Sequence, residues 1–179
     1  WSPLEPESGE RVPVLFYIHG GGFAVGFGGE KRYNGARLAR RGIVVVTMNY
    51  RLNALGLLAH PALTAETSAS GNFAMLDLVA ALHWVKKNIS SFGGDPDQVT
   101  IAGESAGSMF VSMLMAASLS RGLFHRAIGE SGAQFQTRER PMSDLKSAEK
   151  QGLEFTSKLN ATTAEDLRNA SIEEILAAN

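Results

Sequence analysis

The amino-acid sequence predicts an α/β architecture built on a central, mostly parallel sheet flanked by helices. Apolar runs and amphipathic stretches alternate in the order strand–helix–strand–helix–strand–helix–strand. The runs are continuous rather than alternating in polarity, which suits strands covered on both faces. The chain has 179 residues, 44% of them hydrophobic and 20% charged, enough apolar content to bury a core.

The elements follow in chain order. Residues 1–11 (WSPLEPESGER) read as a surface lead-in rich in Pro, Glu and Ser. Val12 to His19 is the first strand and runs into Gly20-Gly21-Gly22; Ile43 to Tyr50, strongly β-branched at its start, is the second. Between them, Tyr33 to Arg41 has helical spacing and stops at Gly42, a C-cap residue type. From Ala74 to Ile89, Leu78, Leu82, Val85 and Ile89 recur about one turn apart and define a buried stripe. Asn72 stands where an N-cap belongs, and Lys86 and Lys87 where a helix C-terminus favours cations. Val99 to Ala102 is a third strand, bounded by Asp95-Pro96 and Gly103. Ala106 to Leu119 is apolar almost all round, as expected of a central helix, and Leu123 to Gly129 is a fourth, weaker strand. Beyond Pro141 the pattern is purely helical over 143–159, 164–170 and 172–178. Thr162-x-x-Glu165 and Ser171-x-x-Glu174 form capping-box patterns before the last two. Residues 1–140 therefore read as an α/β core and 141–179 as a helical segment.

Composition narrows the function. Seventeen Lys and Arg against eighteen Asp and Glu give a net charge of −1, without the basic excess of a nucleic-acid binder. The absence of cysteine excludes disulfides, Cys-based zinc sites and thiol catalysis. No apolar run approaches the 18 residues of a membrane span. No metal-ligand spacing or dinucleotide fingerprint is present: residues 19–29 lack G-x-G-x-x-G, and Lys31 lacks a P-loop frame. No cofactor is expected.

The chemistry centres on Gly103-Glu104-Ser105-Ala106-Gly107, a G-x-S-x-G pentapeptide. A shuffled chain of this composition would contain the pattern about once in six trials, so its context decides. It follows a predicted strand and opens a predicted helix, the setting of a nucleophile elbow, in which a sharp turn lifts the serine hydroxyl above the sheet. The helix that begins beside Ser105 directs free N–H groups and a positive dipole end toward the reacting centre. His19-Gly20-Gly21-Gly22-Phe23 closes the first strand. Three consecutive glycines are entropically costly and point to close backbone approach. In an acyl-transfer site the amides of Gly21, Gly22 and Ala106 would form an oxyanion hole. The alternative for the triplet is a flexible loop. Glu104 is either a stabiliser of a nearby imidazolium or a turn carboxylate. His19, His60, His83 and His125, the four histidines, read as structural.

These residues resemble the type-B carboxylesterases, the carboxylesterase/cholinesterase-like branch of the α/β-hydrolases. HGGGF (19–23), NYRL (49–52), FGGDP (92–96) and GESAG (103–107) carry the resemblance across most of residues 12–135. Within that family the chain is similar to para-nitrobenzyl-esterase-like enzymes of bacteria and fungi. The resemblance implies an α/β-hydrolase fold, Ser105 as nucleophile, Gly21, Gly22 and Ala106 as oxyanion-hole donors, and Glu104 as the acidic neighbour. It also implies that Ser131, in Glu130-Ser131-Gly132-Ala133, hydrogen-bonds the triad acid at the substrate site. Residues 143–179 resemble the start of an insertion that walls the substrate gorge. Where the family reads Asn-x-Gly-Leu-x-Asp-Gln, this chain has Asn72-Phe-Ala-Met-Leu-Asp77-Leu78.

In this fold the triad runs Ser, then Asp or Glu, then His. No histidine follows His125, which stands twenty positions after Ser105 within the next predicted strand. The expectation is an internal fragment of a serine esterase that acts on a small-molecule ester, its acid and base supplied by the remainder of the parent chain. The alternative is a non-catalytic relative that keeps the fold for adhesion or scaffolding.

Overall fold

The computed structural model describes residues 1–3, 11–133 and 142–178. They fall into two compact units, one drawn from Trp1–Tyr50 and Asp77–Phe135, the other from Arg51–Leu76 and Gln136–Asn179. The boundary expected at 140/141 lies outside the described residues.

In the first unit four strands form one sheet: β1 (Val12–Ile18), β2 (Val44–Thr47), β3 (Gly94–Glu104) and β4 (Arg126–Glu130). All pair in parallel, in the order β2-β1-β3-β4. The parallel sheet predicted from the continuous apolar runs is present. Trp1 extends it at the β2 edge, where its backbone N–H and C=O each bond Val45 at 2.9 Å.

Side chains alternate across the sheet with the two-residue period of a strand. Val14, Phe16, Ile18, Val99 and Ile101 point to one face and are buried. Helix α4 (Phe73–Asn88) contributes Leu78, Leu82 and Val85 to this core, and Ile89 follows in a 3-10 turn, so the expected stripe is the buried one. Each such side chain contributes about 1.5–3 kcal/mol relative to leaving it in water.

The expectation of cover on both faces holds fully for one face and in part for the other among the described residues. On that second face Gly35 packs against Val45, Tyr33 meets Tyr17 with ring centroids 4.9 Å apart, and Val45 and Ala102 are buried, but toward β4 it is open. Leu15 and Tyr17 on β1, Val45 on β2, Ala102 and Glu104 on β3 and Ile128 on β4 line an open concavity of about 460 Å³. Strand β4 is exposed along its length. Continuous apolar composition records what a strand can bury, not which neighbours supply the cover.

Further differences are local. The predicted 33–41 helix is a 3-10 turn at Lys31–Tyr33 followed by the short α1 (Ala36–Ala39), and Gly42 ends the segment at φ 79°. Strand β3 begins five residues before Val99. Asp95 and Pro96 lie at a register irregularity opposite Val12/Val14, which admits residues otherwise depleted from strands. Helix α5 (Ala106–Ala116) is one-sided rather than wrapped: Phe110, Val111 and Leu114 are buried, whereas Met115 is 65% exposed. His125 accepts a bond from the Val99 amide at 3.2 Å, which ties the approach to β4 to β3.

In the second unit, two helices absent from the sequence reading occupy the stretch after Arg51: α2 (Asn53–Leu57) and α3 (Pro61–Thr67). The signal for α3 was His60-Pro61, a cap followed by proline at the first helical position. Helices α6 (Leu145–Ser157), α7 (Ala164–Asn169) and α8 (Ile172–Ala177) complete the unit. Ser171 and Glu174 form the predicted capping box. The other box is one residue later than expected, Thr163 with Asp166 rather than Thr162 with Glu165. The Asp166 carboxylate accepts from the amides of both Thr163 (2.8 Å) and Thr162 (3.1 Å), and these bonds hold it at a pKa of about 2.

His60 caps α3. Its Nδ1 accepts from the Ala62 amide at 3.2 Å, and the residue is buried. Burial pushes the imidazole below its ordinary value, against a weaker upward pull from Glu149. The folded state therefore favours neutral His60, and protonation occupies the lone pair that makes the cap. This contribution is complete above the unfolded value of about 6.5 and is lost as pH falls from there through the lowered folded value. Amide exchange at Ala62, corrected for intrinsic rates, is expected to lose protection between pH 7.5 and pH 5.

Candidate active site

Ser105 stands between the end of β3 and the first turn of α5, at φ 55° and ψ −120°. A non-glycine residue in this region carries about 1–3 kcal/mol of strain and persists only where its surroundings over-determine it. Here they do. The Ser105 amide donates to Glu130 O at 2.9 Å, and its carbonyl accepts from the Met109 amide at 3.0 Å. A Cβ on Gly132 would lie 2.5 Å from that carbonyl oxygen, so the segment after β4 presses directly on the turn. The Ser108 hydroxyl donates to Gly132 O and fastens the same segment to α5. Ser108 was not singled out from the sequence; its place one turn into the helix, facing a glycine from another strand end, is a tertiary fact.

The first bond within α5 is the one from Met109 to Ser105, so the Ala106 amide is among the helix's free first-turn donors. Gly107 lets this helix end approach β1: a Cβ there would lie 2.1 Å from Ile18 O and 2.9 Å from His19 O.

The glycine triplet continues from β1 toward the same place. A Cβ on Gly20 would lie 3.2 Å from Ser105 Cβ and 2.9 Å from Glu104 Oε2, so the loop rests against both the serine and its acidic neighbour. Gly21 and Gly22 have φ of 116° and 63°, and Phe23 follows at 64°. The Gly21 carbonyl accepts from the amides of Ala24 (3.1 Å) and Val25 (3.0 Å), which makes this stretch a closed turn rather than a loose loop. Ser131, at φ 53°, is exposed at the end of β4, one residue after the carbonyl that holds Ser105. The structure thus gathers Gly20, Glu104, Ser105, Ala106 and the 130–132 segment at the carboxyl ends of the parallel strands. Glu104 and Glu130 both line the open concavity. There burial raises the Tyr17 phenol above its ordinary value, and the neighbouring Tyr33, Glu130 and Glu104 add to the shift.

Among the described residues no cluster of three or more His, Cys, Asp or Glu is placed to hold a metal ion, and no helix is long and apolar enough to cross a membrane. His83 lies exposed on α4, and His60 and His125 make the backbone bonds already described.

The sequence matches the family described as "Carboxylesterase family" over residues 1–179. The chain belongs to the carboxylesterase family. This carboxylesterase segment is 43% identical over 168 residues to the fumonisin B1 esterase of Sphingopyxis macrogoltabida, covering 93% of this chain and 30% of that protein. It is 44% identical over 168 residues to the para-nitrobenzyl esterase of Bacillus subtilis, covering 90% of this chain and 34% of that protein. Among solved structures, a Geobacillus stearothermophilus carboxylesterase superposes with a TM-score of 0.89 at 40% identity, over 99% of this chain and 38% of that one. A structure described as PNB esterase gives 0.85 at 40% identity, over 99% and 36%. The carboxylesterase segment therefore spans about a third of the length of these relatives.

Proposed function

We propose that the protein is a serine carboxylic-ester hydrolase that works through an acyl-enzyme on a small-molecule ester. The observation that carries this reading is the strained Ser105, held between a parallel strand and a helix N-terminus with Gly20, the first glycine of the triplet, against it. Ser105 Oγ attacks the ester carbonyl and gives its proton to a histidine base. Charge that develops on the carbonyl oxygen is met by the amides of Gly21, Gly22 and Ala106. Collapse of the tetrahedral intermediate expels the alcohol, which takes the proton from the base, and water then releases the acid by the same steps in reverse. Glu104, beside the nucleophile, stabilises the imidazolium, and Ser131 positions the triad acid by a hydrogen bond. The base and the acid come from chain beyond these 179 residues, with 1–140 as part of the α/β core and 141–179 as the start of a gorge-lining insertion.

The test compares the 179 residues with the full-length polypeptide on p-nitrophenyl acetate. The full-length protein is expected to turn over in a Ser105-dependent way. The segment alone is expected to do no better than its own Ser105→Ala variant, because it lacks a base. Ser105-dependent turnover by the segment would overturn the division of the triad.

A further inference from the structure

His19 is buried at 1% exposure in the glycine-triplet motif, and one of its ring nitrogens has a partner that bears on the proposed chemistry. Nδ1 lies 2.8 Å from Gly20 O. A carbonyl can only accept, so Nδ1 carries the hydrogen and donates. Nε2 is buried without a partner among the described residues. An apolar residue would fill this space without leaving a polar atom unpaired, so what the imidazole supplies here is its Nδ1–H.

The ring is held from several sides. Tyr50 stacks on it with centroids 4.3 Å apart and planes 13° from parallel, and Phe110 of α5 meets Tyr50 edge-on at 4.9 Å. The Tyr50 hydroxyl donates to His19 O at 2.7 Å. Burial keeps that phenol protonated by raising its pKa well above the ordinary value. Gly26 closes the remaining side: a Cβ there would lie 2.7 Å from Gly20 O and 2.9 Å from His19 Nδ1, which leaves no room for a competing group at this bond.

Two successive carbonyls, those of His19 and Gly20, are thus gripped by side chains. In a trans peptide the carbonyl oxygen and the next amide hydrogen point in opposite directions across a rigid plane. Holding one aims the other.

We infer that His19 is a positioning residue, which fixes the Gly20–Gly21 peptide so that the Gly21 amide faces the reacting oxygen, with Tyr50 as the brace that fixes both the ring and the preceding peptide. The inference rests on the esterase reading. It adds that the direction of an oxyanion donor is set by a side chain that touches neither substrate nor nucleophile.

The test uses the full-length protein and two nearly isosteric replacements. His19→Asn keeps an N–H donor one bond beyond Cγ, where Nδ1 stands, and His19→Leu has a methyl group there. Both lose the imidazole stack equally, so their difference reports the donor. The Leu variant is expected to have a kcat roughly 10- to 100-fold below that of the Asn variant at similar KM, approaching the loss of a whole oxyanion donor. Affinity for an aryl trifluoromethyl ketone, which forms a tetrahedral adduct with the serine, should fall in parallel. Equal kcat and equal ketone affinity in the two variants, or a difference confined to KM, overturns the inference. Should neither His19 variant fold, Tyr50→Phe decides: it keeps the stacked ring and removes only the hydroxyl, so lowered kcat with unchanged KM supports the inference and wild-type kcat refutes it. A wild-type enzyme whose turnover survives Ser105→Ala overturns the esterase reading and this inference with it. Ser105-dependent turnover with equal His19 variants overturns the inference alone.

Discussion

Replacing Ser105 with alanine in the full-length polypeptide is expected to lower kcat on p-nitrophenyl acetate by about 10⁴- to 10⁶-fold, with little change in stability. On the proposed acyl-enzyme route the activity term is large, because the Ser105 hydroxyl oxygen is the atom that forms the bond to the acyl group. The stability term is small because the turn is held through its backbone. Glu130 O receives the residue-105 amide, Met109 bonds its carbonyl, and Gly132 packs against that carbonyl, all independently of the side chain. Alanine inherits the same φ of 55°, so the strain stays in place. Steady-state kinetics together with a urea melt separate the two effects. A Ser105→Ala enzyme that keeps substantial turnover would remove Ser105 from the mechanism.

Gly107→Ala is expected to act in the other direction, through the fold. An interior helix position gains about 1 kcal/mol from alanine over glycine on propensity alone. Here the new methyl would lie 2.1 Å from Ile18 O and 2.9 Å from His19 O, both backbone atoms at the end of β1, and rotation of a side chain cannot relieve that contact. Forcing extra volume into packed structure costs about 1–3 kcal/mol where side chains can adjust, and more where only backbone can move. The clash therefore outweighs the propensity gain. Net destabilisation of about 3 kcal/mol is expected, together with lost activity, because the displaced elements carry Ala106 and the glycine triplet. Gly22→Ala is the contrast: a Cβ there meets nothing within 4 Å, and the left-handed φ of 63° alone costs about 1–2 kcal/mol. Urea denaturation of the two variants should rank them in that order. A Gly107→Ala protein as stable as the parent would show that α5 and β1 can separate freely.

Much of the site was legible because its signals are local. A serine between glycines, directly after a β-branched run and before an apolar helix, already specifies a turn at the carboxyl end of a strand, and β3 and α5 meet there at Ser105. The stripe of Leu78, Leu82, Val85 and Ile89 is likewise a matter of spacing, and all four are buried. The capping box at Thr163 was displaced by one residue because neighbouring threonines offer the same chemistry, and only the reach of the Asp166 carboxylate selects between them.

By itself, then, the sequence determined the parallel α/β class, the family, and which serine stands at the turn. Those follow from periodicity and from motifs a few residues long, which depend on backbone geometry within one strand or one helix turn. The tertiary structure alone decided that β1 lies between β2 and β3, so that the glycine triplet reaches Ser105, and that His19 grips Gly20 beneath a stacked Tyr50. It alone decided, too, that one face of the sheet is covered only in part among the described residues, and open toward β4. Such contacts join residues dozens of positions apart, and the physical quantity that selects them is the fit between surfaces, which no single segment encodes.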